Sequence, residues 1–272
     1  MEQGGTMQSI ICFTSDFGMG DTWVGICHAV IYKACPQARV VDLAHDVPPY
    51  DIRKAAAVAA AGVWQLPDAI HLVVVDPGVG GPRKDLCLVT STGTMLVGPD
   101  NGVLLPASWR AGGIAEAYAI QPEVLKFEGP LATFHARDVL APAAAALACG
   151  VEPLALGMRI DPETLAPPPF LPAQREGDAF VAEAVDADRF GSVRISVSSA
   201  DLQFVDVPEE VEMSFGHTVM TVPFRRTFSD VGEGEPVALV DSSGWLTLAV
   251  FKGSAAERYG IEPGTAFRIR FR

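Results

Sequence analysis

Residues 161 to 172 hold five prolines, Pro162, Pro167, Pro168, Pro169 and Pro172, and the chain has a different texture on either side of them. Proline fixes φ and removes a backbone donor, so neither a helix nor a central strand can run through such a stretch. Upstream, apolar runs suited to strands alternate with segments of helical spacing, the pattern of an α/β layer structure. Downstream no long helical period occurs. Short β-type runs follow one another instead: FVAEAV, SVRISV, HTVMTV, PVALV, WLTLAV and FRIRF, separated by Gly, Asp and Ser. The expected organisation is an N-terminal α/β domain over residues 1–160, a Pro-rich linker over 161–178 and a smaller all-β domain over 179–272.

Within the first domain, Ser9–Thr14, Arg39–Leu43 and Ala69–Val75 read as strands. The third is nearly all apolar, as expected of a parallel strand covered on both faces, so the sheet is expected to be mainly parallel. Asp21 is placed to cap a helix through Ala34, and Asp51 to cap an alanine-rich helix to about Leu66. Leu86–Thr90 and Met95–Val97 suit a hairpin around Gly93. Ala136–Cys149 reads as a helix closed by Gly150.

About half of the 272 residues are hydrophobic, which disfavours disorder, and the net charge of −13 disfavours nucleic-acid binding, which needs a basic face. The five cysteines are scattered and form no C-x-x-C pair, so they are read as small buried hydrophobes rather than a disulfide framework or zinc site. No apolar run reaches the roughly 18 residues of a membrane span, and the first residues, MEQGGTMQS, do not read as a secretory signal. The expected compartment is the cytoplasm. His28, His45, His71 and His217 lack partners at metal-ligand spacing, so no metal site is expected.

Ligands of parallel α/β sheets sit beyond the carboxyl ends of the strands. Three segments put polar residues there. Asp16 follows the first strand, where it serves either as a turn cap or as a bidentate acceptor for a ribose diol. VVVDPGVGGPR, residues 73–83, ends an apolar run in Asp76 and turns through glycines to Arg83. It lacks the P-loop pattern, and Asp76 would repel a phosphate at its mouth. His135 stands at a helix entrance, either as a structural residue or as one with a tunable proton.

TSDFG at 14–18, VVDPGVGG at 74–81 with Arg83, GPDNG at 98–102, TFHARDVLAPAAA at 133–145, DRFG at 188–191 and DSSGWLTLAVFKGSAA at 241–256 occur in this order. Together they resemble the S-adenosyl-L-methionine hydrolase (adenosine-forming) family, the SAM hydroxide adenosyltransferases, related to fluorinase and chlorinase. The resemblance implies an α/β domain of sandwich type, a C-terminal barrel-like β domain, and a homotrimer with active sites at subunit interfaces. It implies Asp76, Arg83 and His135 as the hydrolytic triad and Asp16 as the ribose ligand. Tyr50 and Phe134 would form an aromatic wall, Asp188 would hold the methionine amino group and Ser242 its carboxylate, with Phe190 and Ser192 near the adenine. The halogenating relatives carry other residues at the position of Asp76, so Asp76 favours water over halide. Ser192 stands where the family has Asn, Asp241 where it has Asn, and Ala136 where it has Gly or Ser. The alternatives are a halogenase-like C5′ transfer and a non-catalytic regulator that binds S-adenosyl-L-methionine or adenosine.

The implied reaction needs no cofactor. Attack at C5′ expels a neutral thioether, so the leaving group requires no proton, and what is missing is a nucleophile, since bulk water has a pKa of about 15.7. His135 taking a proton from water and the site capturing hydroxide are both compatible with the sequence.

Overall fold

A computed structural model describes residues 10–125, 133–203 and 209–272. The chain divides into two compact units, Met1–Pro169 and Phe170–Arg272. The first contains β1 (Ile10–Ser15), α1 (Trp23–Ala34), β2 (Arg39–Ala44), α2 (Ile52–Gln65), β3 (Ile70–Val74), β4 (Asp85–Thr90), β5 (Met95–Pro99), α3 (Leu105–Arg110), β6 (Ile114–Ile120), α4 (Ala141–Ala148) and β7 (Gly157–Ile160). They build one seven-stranded sheet in the order β2-β1-β3-β5-β4-β6-β7. The expectation of a mainly parallel sheet is corrected. β1–β2, β1–β3 and β3–β5 pair parallel, whereas β4–β5, β4–β6 and β6–β7 pair antiparallel. The Gly93 hairpin reverses the chain after β4, which sets β4 antiparallel to β5; the connection through α3 then carries the chain past β4, and β6 pairs antiparallel with its other edge.

Strand periodicity sorts the core. Ile11 and Phe13 of β1 and Ile70, Leu72 and Val74 of β3 face α1 and α4, where Val24, Cys27, Ile31 and the alanines of α4 bury against them. On α2, Asp51 caps the first turn as expected, its Oδ1 accepting the Lys54 N–H at 2.8 Å. At α1 the expected cap is displaced by one residue. Thr22 is the cap position, and Asp21 Oδ1 accepts the Thr22 N–H.

The expected helix over Ala136–Cys149 is in two parts. Ala136–Leu140 is a π-type turn, with the Ala141 N–H bonded to Ala136 O, and α4 follows it. Pro142 gives the reason: it has no N–H for the carbonyl four residues back, and its ring crowds that carbonyl. The turn before it widens. Such π turns gather at functional sites, and His135 stands at the entrance of this one.

Cys12, Cys27 and Cys87 are buried free thiols, and burial pushes them up to about 11, 12 and 12. Cys35 and Cys149 depart from the expectation for the cysteines: they form a disulfide, with Cα atoms 5.8 Å apart across 114 positions of sequence. α1 and α4 pack side by side and end at these two residues, a proximity that spacing along the chain does not reveal. A cross-link over roughly a hundred residues is worth about 4–5 kcal/mol through the unfolded state. Cys149→Ser is therefore expected to lower the thermal midpoint of unfolding by on the order of 10 °C without reductant. Calorimetry with and without reductant checks this, because the reduced wild type should match the variant.

The second unit contains β8 (Gln174–Glu176), β9 (Ala179–Ala187), β10 (Val193–Ser198), β11 (Glu210–Phe215), β12 (Thr218–Pro223), β13 (Pro236–Val240), β14 (Trp245–Val250), α5 (Ala255–Tyr259) and β15 (Ala266–Phe271). The order is β12-β11-β15-β9-β10-β14-β13, with β8 beside β9. A bridge between Phe224 and Ala238 brings the two ends of this order together, so the sheet is nearly barrel-shaped. The short α5 corrects the all-β expectation. Ser254 caps it by accepting the Glu257 N–H, and Gly260 ends it with φ 61°.

Candidate active site

β1 and β3 lie side by side and parallel, with Ser15 opposite Val74. Their carboxyl ends therefore deliver Asp16 and Asp76 to one edge of the sheet. Asn101, from GPDNG, donates to Val75 O at 2.9 Å and steadies the end of β3. From Asp76 the chain folds tightly. The Val79 N–H reaches Asp76 O at 3.3 Å and the Gly81 N–H reaches Gly78 O at 2.9 Å. Gly80 takes φ 77°, and a Cβ on Gly81 would stand only 3.0 Å from Gly78 O. The glycines allow the reversal that returns Arg83 to Asp76.

Arg83 donates from Nε to Asp76 Oδ1 at 3.1 Å and from Nη2 to Asp76 Oδ2, a bidentate pair. Its Nη1 donates to Asp85 Oδ1 at 2.6 Å. The other oxygen of Asp85 lies 2.8 Å from Nδ1 of His135, and Arg83 Nη2 lies 3.1 Å from the same nitrogen. Asp76, Arg83, Asp85 and His135 thus form one contiguous cluster, with side chains exposed by 7%, 11%, 5% and 15%. Burial pushes the Asp85 carboxyl above the usual carboxylate range, while Arg83 and His135 pull it down and Asp76 adds to the rise.

The sequence reading brought Asp76, Arg83 and His135 to this place and missed Asp85. A signal existed: in an extended strand, residues two apart share a face, so Asp85 follows Arg83.

A cavity of about 460 Å³ opens onto the cluster, and its lining includes Asp16, Trp23, Tyr50, Asp76, Phe134 and His135. Asp16 Oδ2 accepts the Tyr50 N–H at 2.9 Å. That bond anchors Tyr50 in the left-handed region, at φ 69°, and the residue is 73% exposed. Asp16 is therefore a turn anchor through one oxygen, and Oδ1 has no partner among the described residues. Phe134 meets Phe17 edge-on at 5.8 Å, and Phe17 meets Trp23 at 5.7 Å, which extends the expected aromatic wall.

Behind Asp16 runs a second network. Ser15 Oγ lies 2.7 Å from His45 Nδ1, and His45 Nε2 and His28 Nε2 each lie 2.9 Å from Asp42 Oδ1. Its order resembles a nucleophile relay, but the burial is reversed. Ser15 is fully buried and Asp42 is 35% exposed, so no substrate reaches Oγ. Burial alone would raise Asp42, but hydrogen bonds from His45 and His28 outweigh it and hold the carboxyl low.

In the second unit, a cavity of about 690 Å³ is lined by residues that include Asp188, Phe190, Ser192, Arg194, Asp241 and Ser242. Asp188 Oδ1 accepts the N–H groups of Phe190 and Ser192 at 2.8 and 2.9 Å, which closes the DRFG turn. Gly191, at φ 80°, packs where a Cβ would stand 2.0 Å from Ser254 Oγ. Phe190 is 79% exposed and Ser192 is buried. Asp241 accepts from Arg194 Nε at 2.7 Å, and Arg194 also binds Asp186 at 3.1 Å. Arg194 and Phe228 line this cavity and were not among the expected site residues.

A mixed α/β unit carrying a carboxylate–guanidinium–imidazole cluster at the carboxyl ends of its strands, joined to a nearly closed β unit, defines a small-molecule enzyme of two-domain α/β type. Residues 11–157 match the SAM hydroxide adenosyltransferase N-terminal domain, and residues 182–268 match the C-terminal domain of the same family. The chain belongs to the SAM hydroxide adenosyltransferase family. It is 40% identical to the (R)-S-adenosyl-L-methionine hydrolase of Salinispora tropica, over 95% of this chain and 97% of that one. It is 26% identical to the fluorinase of Nocardia brasiliensis over 96% of each chain. A crystal structure of an uncharacterized conserved protein from Thermotoga maritima superposes with a TM-score of 0.85 at 32% identity, covering 96% of this chain and 99% of that one.

Proposed function

We propose that the chain hydrolyses S-adenosyl-L-methionine to adenosine and L-methionine by in-line attack of water on C5′. The observation that carries this reading is the cluster of Asp76, Arg83 and His135 beside a cavity with Asp16 on its lining. The substrate is already activated as a sulfonium, so the site has to hold and deprotonate a water. Placement of a reactant in line is worth roughly 7–11 kcal/mol in the best intramolecular cases. Arg83 supplies positive charge toward developing hydroxide, Asp76 holds Arg83 in a bidentate grip, and His135 takes the proton. The relative's name specifies R, and because L already describes the amino-acid carbon, R refers to the sulfonium. That epimer is the one to test first.

Asp16 binds the ribose diol through the carboxylate it also uses to hold Tyr50. Tyr50 and Phe134 wall the nucleoside. Asp188, Ser242, Phe190 and Ser192 serve the methionine and adenine ends, with Asp188 Oδ2 available for the amino group because Oδ1 is engaged in its own turn. We take the protein to be a homotrimer whose sites are completed at subunit interfaces. The exposed rings of Tyr50 and Phe190 support this, since large apolar groups on site residues mark a surface that awaits a partner.

The test is to incubate purified protein with each sulfonium epimer at neutral pH, without added halide, and to resolve the nucleosides by chromatography. Adenosine and methionine in equal amounts are expected. A 5′-halo-adenosine formed only with added halide would move the protein to the halogenating branch, and saturable binding without product would make it a binder. Asp16→Ala is expected to weaken adenosine binding by on the order of 10- to 100-fold, the value of a charge-assisted hydrogen bond. Titration calorimetry checks it, and an unchanged Kd refutes the ribose role.

A further inference from the structure

The two oxygens of Asp85 are divided between the two functional side chains it touches. Oδ1 receives Arg83 Nη1 at 2.6 Å, and the guanidinium there favours the ionised carboxylate against the burial that raises it. Oδ2 lies 2.8 Å from His135 Nδ1. An ionised oxygen facing a bare ring nitrogen at that distance would set two lone pairs against each other. A proton on Nδ1 turns the same contact into a strong hydrogen bond. The competing arrangement has Nδ1 accept from Arg83 Nη2 at 3.1 Å, a longer contact from a nitrogen already donating to Asp76. When the imidazole carries one proton, its place is therefore between Nδ1 and Asp85. Nε2, with no partner among the described residues, keeps its lone pair, and the ring lines the cavity.

Charge bookkeeping points the same way. Asp76 and Asp85 together carry two negative charges and Arg83 one positive, so the cluster holds a single excess negative charge while His135 is neutral. A proton arriving on His135 neutralises it. With Asp76 and Arg83 alone, the same proton would leave a net positive charge in a nearly buried place, which is costly. Asp85 thus favours proton transfer from water to His135 over capture of preformed hydroxide.

We infer that Asp85 is a positioning residue that fixes the His135 proton on Nδ1 and leaves Nε2 as the base that deprotonates the attacking water. The inference rests on the proposed hydrolysis. One O–H bond of water breaks, its proton goes to Nε2, and the oxygen lone pair forms the bond to C5′. The C5′–S bond breaks with its electrons to sulfur, the sulfonium becomes a neutral thioether, and His135 then releases the proton to solvent.

Two measurements test it. The first is the ¹⁵N spectrum of His135 in the free wild-type protein and in Asp85→Asn, a near-isosteric change whose amide can donate to Nδ1. The wild type is expected to show a protonated Nδ1 and a bare Nε2, and the variant the reverse. A wild-type ring protonated on Nε2 overturns the inference whether or not the protein turns over substrate. The second is steady-state kinetics: Asp85→Asn should lower kcat by about 10²-fold or more with KM nearly unchanged, and Asp85→Glu should recover part of the loss. Unchanged kcat in Asp85→Asn with a switched tautomer also overturns it. Absence of adenosine from the wild type instead removes the proposed function, and the spectrum alone then decides where Asp85 holds the proton.

Discussion

His135→Ala is expected to lower kcat by about 10²–10⁴-fold while S-adenosyl-L-methionine binds as before. Its imidazole borders the cavity beside Arg83 and Asp85, and no other described histidine lies in this cluster to replace it. The affinity of the site rests on other groups: Asp16, the aromatic wall and the residues of the second unit. The loss should therefore fall on kcat and leave KM nearly constant, the pattern of an interaction made in the transition state. Asp76→Ala should behave alike, because Arg83 then loses its bidentate partner and swings toward Asp85. Product formation measured under saturating substrate checks both, and near-normal turnover in either variant removes that residue from the mechanism.

A large, pH-dependent loss of stability is expected from Arg83→Met. Arg83 pairs with both Asp76 and Asp85, whose side chains are 7% and 5% exposed. Removing it leaves two nearly buried carboxylates facing each other without a counter-charge, a loss of about 3–5 kcal/mol. The loss should depend on pH. Burial already holds the Asp85 carboxyl above its ordinary value, against the pull of Arg83 and His135. A group whose folded value is raised contributes stability that is fully present below its unfolded value, about 3.9 for Asp. That contribution is lost as pH rises through the folded value. Without the pull of Arg83 the rise is larger and the loss extends further toward neutrality. Urea unfolding of wild type and Arg83→Met from about pH 4 to 8 should show a gap that widens with pH. A gap of constant size would mean that packing, not charge, carries the role of Arg83.

Much of the fold is written locally. β1, β2 and β3 are apolar runs with turn residues at their ends, Asp51 caps α2 through its own side chain, and Gly93 makes the hairpin between β4 and β5. In the second unit, the six β-type runs lie along β9, β10 and β12 to β15, with SVRISV and HTVMTV each starting one residue before its strand. β11 was equally legible, since Val211, Met213 and Phe215 alternate toward the core, yet the sequence reading passes over it. β6 was harder, because its alanines give little contrast between faces. The half-antiparallel sheet, the π turn forced by Pro142 and the place of Thr22 as cap are departures of detail on elements otherwise anticipated.

The amino-acid sequence alone determined the two-part organisation, most of the strands and, through six ordered motifs, the family, and it singled out Asp76, Arg83 and His135 as candidates. Those features depend on propensity, periodicity and turn chemistry, which act over a few residues and are therefore visible in order along the chain. Only the tertiary structure decided that Asp85 bridges Arg83 to His135 and that Cys35 meets Cys149. It also decided that Asp16 holds Tyr50 by its backbone. Each of these joins residues from different elements or uses an atom whose direction is set by packing. The fifty positions between Asp85 and His135 are closed by the burial of α4 and its π turn against β1 and β3, not by any local rule.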